Sequence, residues 1–99
     1  MSSEEEIQAV WEKGKIVSQE HKDKWRQDDC TAWIYRDAHG DRGHEYGWEI
    51  DHMKPVSEGG SDDISNKRPL HWKNNQAKLD KKRVPCVLRS EGSKNVEQA

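Results

Sequence analysis

Ninety-nine residues, 30% hydrophobic and 36% charged, suffice for one small domain with a lean core, and no apolar run reaches the length of a membrane span. Two cysteines exclude a disulfide framework and a four-cysteine zinc site; two reduced thiols in a cytosolic protein are the expected state, with a single disulfide or a zinc site shared with a histidine as alternatives. The net charge of −2 does not mark a nucleic-acid binder, but residues 67–89 hold eight Lys or Arg against Asp80 alone, a local basic face that suits phosphates.

In chain order, Ser3 with Glu6 three residues on fits a capping box, and Ile7, Val10 and Trp11 recur at helical spacing up to a stop at Gly14. Residues 15–30 are polar; Lys15 to Val17 reads as a short extended piece and Trp25 as a core anchor. Residues 31–36 (TAWIYR) are β-branched and aromatic and predict a strand. Residues 37–43 (DAHGDRG) are turn chemistry, and residues 46–51 predict a second strand, so the two strands form a hairpin. His39 and His44 fall in or beside that turn, where a histidine faces solvent more often than it binds a metal. A helix is predicted to run into Lys81, Lys82 and Arg83, whose charge suits its C-terminal end. Residues 84–88 (VPCVL) make at best an edge strand because of Pro85, and residues 90–99 read as a frayed, disordered tail.

The chemistry lies in residues 48–78, WEIDHMKPVSEGGSDDISNKRPLHWKNNQAK. Hydrolysing a phosphodiester needs a base to activate water and charge to stabilise the phosphoryl and leaving oxygens. Asp51 and His52 offer a metal ligand and a base side by side. Neighbouring side chains on a strand point opposite ways, so the strand must end there for both to reach one phosphate. Gly59 and Gly60 let the following segment turn tightly. On the predicted helix His71, Asn75, Lys78 and Lys82 fall at i, i+4, i+7 and i+11 on one face, with Trp72 and Leu79 on the adjacent core-facing stripe. Arg68, Lys73, Lys78 and Lys82 are the candidate nucleic-acid contacts.

The ordered set Asp-His, a Pro three residues later, Gly-Gly, Asn66, Pro-Leu-His-Trp, Asn-Asn and Lys resembles the HNH, or ββα-metal, endonucleases, of the small stand-alone bacterial and phage type with Asn at the third signature position. The resemblance implies an α+β fold: an N-terminal helix and β-hairpin followed by a ββα-metal unit, in a single domain over residues 1–99 with its motif core at 48–82. It implies a DNA endonuclease with His52 as general base, Asp51 and Asn75 as ligands of one divalent metal, and Asn66 fixing the loop that orients the base. An oxygen-only site favours Mg²⁺ or Mn²⁺; coordination by His71 or His44 would make Zn²⁺ or another transition metal plausible. Many relatives carry paired cysteines that bind a structural zinc; His71 and Asn74 stand at the helix-start positions here, so that zinc ribbon is expected to be missing. The family's products carry 5′-phosphate and 3′-hydroxyl ends. One motif per chain implies nicking of DNA with low sequence specificity by a monomer or weak homodimer. No membrane association and a cytoplasmic location are expected. The rival readings are a nucleic-acid-binding module that keeps the fold without catalysis, and an interaction domain held by zinc on Cys30, Cys86 and a histidine.

Overall fold

The computed structural model describes residues 2–99. Helix α1 spans Glu4–Trp11 and begins as its sequence predicts, with the Ser3 hydroxyl accepting from the Glu6 amide at 3.1 Å. The Glu6 carboxylate does not complete a capping box; it pairs with Lys67 at 2.5 Å and ties α1 to the motif. At the other end Arg26 lies over Trp11 and donates to the carbonyls of Glu12 and Gly14, satisfying acceptors that a helix terminus leaves open.

A hairpin does precede the motif, and strands form within the predicted 31–36 and 46–51 segments, but these two do not pair with each other as expected. Strand β1, Trp25–Gln27, pairs antiparallel with β2, Trp33–Tyr35. The reversal is made by Asp28, whose Oδ1 accepts from the amides of Cys30 and Ala32 at 2.9 and 2.8 Å and folds the chain back at once. The glycine-containing segment after β2 instead carries the chain across to β3, Trp48–His52. Strand β3 pairs antiparallel with β4, Lys67–His71, placing Trp48 opposite His71 and His52 opposite Lys67. Helix α2, Trp72–Lys78, follows β4 without a linker. The result is the α+β arrangement expected from the sequence: an N-terminal helix, antiparallel strand pairs, and a helix after the strands.

Two further expectations are corrected. The second helix stops at Lys78 rather than reaching Arg83: Leu79 turns out of it at φ 57°, ψ −135° and is 68% exposed. Leu79 therefore is not a core residue, and without a buried face a further turn has nothing to stabilise it. Residues 90–99 are not a frayed tail. Strands β5, Leu88–Glu91, and β6, Lys94–Glu97, form a hairpin about Gly92, and the Asn95 amide bonds both the N–H and the carbonyl of Trp33.

The core joins α1 to the motif. Val10, Trp11, Ile34 and Trp48 are fully buried, with Ile7 and Ile50 packed against them. Trp25 is only half-buried and belongs to a second aromatic group with Trp33, Tyr35 and Tyr46. Cys30 and Cys86, expected as reduced thiols, are joined in a disulfide that closes a 56-residue separation around the whole motif. Bonded to each other, they do not act as zinc ligands. No helix among the described residues is long and apolar enough to cross a membrane.

Candidate functional site

Side-chain alternation along β3 sorts the site. Trp48 and Ile50 face α1, whereas Glu49 and Asp51 face α2, where they meet Asn75 and Lys78. The strand ends at His52. Asp51, His52, Asn75 and Lys78 line one open groove of about 320 Å³, with Pro55, Val56 and Ser57 from the following loop on its rim.

That loop is held by Asn66. Its Oδ1 accepts from the Lys54 amide at 2.9 Å, and its Nδ2 donates to the carbonyls of Lys54 and Ser61 at 2.9 and 2.7 Å. Gly59 adopts φ 87°, and at Gly60 a Cβ would lie 1.8 Å from the Lys54 carbonyl oxygen, so the closed turn excludes any side chain there. The pinned loop delivers Asp62 to His52: the histidine Nε2 lies 2.8 Å from the Asp62 carboxylate. A carboxylate only accepts, so in the neutral imidazole Nε2 carries the hydrogen and Nδ1 keeps its lone pair. The same hydrogen bond, reinforced by Lys67, holds the Asp62 carboxyl below its ordinary value. Sequence reasoning did not single out Asp62 as a partner of His52; its signal was an acid two residues after the Gly-Gly turn, within reach of the base once Asn66 closes the loop.

Asp51 is buried and saturated with cations. Lys78 Nζ sits 3.0 Å from its Oδ1 and Arg68 Nε 2.9 Å from its Oδ2; Arg68 also reaches Asp29 at 3.0 Å. Asn75 enters the groove from α2, with Nδ2 donating 2.8 Å to Glu49 Oε1. Burial pulls the Glu49 carboxyl up, but hydrogen bonds from Arg42 and Asn75 outweigh it and leave the group below its usual range. One carboxylate and one amide form a donor set of the right chemistry for a hard divalent cation. Their present arrangement does not offer it, because Lys78 and Arg68 occupy both Asp51 oxygens. Among the described residues, no three His, Cys, Asp or Glu side chains converge to hold a metal.

The remaining predicted residues are dispersed. Lys73 pairs with Glu97 of β6 at 2.6 Å and lies over Trp72. Lys82 stands beyond α2 and is mostly exposed, 3.9 Å from Glu58. Arg68 and Lys78 turn inward onto Asp51 instead of presenting their charge to solvent. His71 caps α2: its Nδ1 accepts from the Lys73 amide at 3.0 Å and its Nε2 lies 2.7 Å from the Glu45 carbonyl. Both ring nitrogens are engaged, and burial pushes its pKa down. His44 accepts from the Tyr46 amide, stacks on Tyr35, and lines a separate cavity with His71 and Trp72. Neither histidine lines the groove of Asp51 and His52.

The HNH endonuclease family model matches residues 38–81, a span that contains Asp51, His52, Asn66 and Asn75. No curated protein and no solved structure matches the chain.

Proposed function

We propose, from the match of residues 38–81 to the HNH endonuclease family model, that the chain hydrolyses DNA phosphodiester bonds with one divalent cation and, as a monomer, nicks a single strand. The observation that carries this reading is the groove itself: a histidine oriented by a carboxylate stands at the end of β3, beside the Asp51 carboxylate and the Asn75 amide. His52 takes the proton of the attacking water at Nδ1, and Asp62 stabilises the imidazolium that results. Asn66 maintains this alignment through the loop it pins. Asp51 and Asn75 would hold the cation, which when bound supplies positive charge to the phosphoryl and leaving oxygens. With His71 and His44 lining another cavity, the donor set is oxygen-only and favours Mg²⁺ or Mn²⁺ over Zn²⁺. Lys82 and the exposed Lys81 and Arg83 offer sequence-independent phosphate contacts, consistent with low specificity.

The test is nicking of supercoiled plasmid in Mg²⁺, Mn²⁺ and EDTA by the wild type and by His52→Ala. Metal-dependent open-circular product that disappears in folded His52→Ala supports the nuclease. A second reading, a binding module without catalysis, is favoured by one observation, the closure of Asp51 by Lys78 and Arg68. Salt-sensitive DNA binding with no cleavage in any metal would establish it. The cytoplasmic location inferred from the sequence and the Cys30–Cys86 bond make opposite demands, since a reducing cytosol opens such bonds. Alkylation of the protein in its native cells before lysis decides between them.

A further inference from the structure

Lys78 is the last residue of α2, yet its side chain is only 2% exposed. Its ammonium bonds Asp51 Oδ1 at 3.0 Å and the His52 carbonyl at 3.0 Å, so it stands between the carboxylate and the backbone of the base. Taking a lysine out of water is costly unless a counter-charge compensates, and Asp51 is that counter-charge. Asp51 in turn is 4% exposed and has Arg68 on its other oxygen. A divalent cation approaching Asp51 meets two positive groups in the places its own coordination requires.

The two cations are not equivalent. Arg68 has a second carboxylate partner in Asp29 and stays compensated if it loosens its hold on Asp51. Apart from Asp51, Lys78 has only a neutral carbonyl. Its four-carbon stem springs from a helix end where Leu79 already leaves the helix, and the groove it lines is open. An ammonium in that position can exchange a carboxylate for a phosphate without leaving the groove.

We infer that Lys78 is a gate that couples nucleic-acid binding to metal binding. In the free protein it closes on Asp51 and keeps divalent cations weakly bound. When a phosphodiester enters the groove, the ammonium moves to a phosphate oxygen and releases Asp51 Oδ1 for the cation. By linkage the effect is mutual: bound metal strengthens DNA binding by the same factor that DNA strengthens metal binding. This inference rests on the nuclease reading above and adds an order of assembly to it.

The experiment measures Mn²⁺ binding by the loss of the free-ion electron paramagnetic resonance signal, for the wild type and Lys78→Met, without DNA and with a short duplex, the duplex alone serving as the blank. In a His52→Ala background the duplex stays intact. The expected result is tighter Mn²⁺ binding by free Lys78→Met, by about 5- to 150-fold, the ordinary range for coupled sites. Adding the duplex should tighten Mn²⁺ binding by the lysine protein and leave the Lys78→Met protein nearly unchanged. Equal or weaker binding by folded Lys78→Met, or no Mn²⁺ binding by either protein, overturns the gate. If Lys78→Met does not fold, acetylation of the wild type read by mass spectrometry takes its place. Lys78 should be protected in the free protein and become reactive as Mn²⁺ saturates a site that Asp51→Asn abolishes. Mn²⁺ that fills that site while Lys78 stays protected overturns the gate as well. Plasmid nicking by the wild type tests the underlying activity separately, so nicking with unaltered metal affinity in Lys78→Met removes the gate alone.

Discussion

Opening the Cys30–Cys86 bond is the perturbation whose magnitude the fold defines best. The bond joins residues 56 apart, and the loop it closes contains β2, β3, β4 and α2. In the chain-entropy account a crosslink of this span removes roughly 14 cal/mol/K from the unfolded ensemble, about 4 kcal/mol at 25 °C. That is a large share of the about 5–15 kcal/mol that holds a domain of this size together. At about 4–8 °C per kcal/mol it corresponds to a fall in Tm of roughly 15–30 °C. The assay is urea and thermal unfolding of the wild type with and without reductant, beside the Cys30→Ala/Cys86→Ala double variant, followed by tryptophan fluorescence. Trp11 and Trp48, fully buried with centroids 5.4 Å apart, report the core directly. The denaturant m-value should rise on reduction, because the released chain exposes more surface when it unfolds. The cysteines do not line the groove, so the folded remainder should still nick. A loss below about 1 kcal/mol on the same two-state analysis, or two free thiols found by alkylation of the untreated protein, would refute the reasoning.

Three other outcomes are expected. His71 is buried as a neutral cap, its pKa lowered from 6.5 mainly by desolvation; the unfolded chain binds that proton more readily, so stability should fall as pH drops below 6.5, measured as Tm from pH 8 to pH 5, and His71→Asn should flatten that slope. Asn66→Ala removes three hydrogen bonds from the loop, worth about 1–3 kcal/mol, so it should lower the Tm by roughly 4–24 °C and, in protein that is still folded, lower kcat for nicking more than it raises KM. Asp62→Ala should lower kcat by about 10- to 100-fold, as loss of an orienting partner does elsewhere, whereas Asp62→Asn, whose amide oxygen still accepts from His52 Nε2 but lacks the charge that stabilises the imidazolium, should lose less than Asp62→Ala while staying below the wild type.

What the sequence disclosed was whatever is encoded locally. Ser3 starts α1 because the cap is made within one turn, and β3 ends at Asp51-His52 because Lys54 and Pro55 break the strand pattern. Asn66 could be assigned to the loop because a motif with fixed spacing carries that information. The pairing of β1 with β2 was hidden: Trp25–Gln27 is three residues inside a polar segment, and its partner was equally suited to pair with 46–51. The β5–β6 hairpin was hidden because its anchor, the Asn95 amide on Trp33, lies 62 residues away in sequence. Helical spacing correctly put Asn75 and Lys78 on one face, but it could not say that this face is buried against Asp51. A run of lysines reads as a solvated surface unless the acid that draws one of them inward is known.

The same long-range logic explains how a seven-residue helix can hold Asn75 in place. A helix of that length is not stable on its own and must be fixed at its ends. In the free protein the C-terminal end is held by Lys78 on Asp51 and on the His52 carbonyl. The N-terminal end is fixed by a buried polar clamp: Asp28 Oδ2 accepts from the His71 amide and from Asn74 Nδ2 at 2.9 and 3.1 Å, and Asn74 bonds the N–H and carbonyl of Leu88. Burial pushes the Asp28 carboxyl up, against the pull of its four N–H donors. Hydrogen bonds to Asp28, with the disulfide two residues further on at Cys30, connect the chain before β2, the start of α2 and the chain after it. The clamp thereby does for α2 what a metal crosslink would do, by joining three distant segments at its first turn. Asn74→Ala should therefore displace Asn75 as well as loosen Leu88. The loss should appear in metal-dependent nicking at temperatures where the core tryptophans still report a folded protein. If nicking and Tm instead fell together in proportion, the clamp would be supporting the fold as a whole and not the helix.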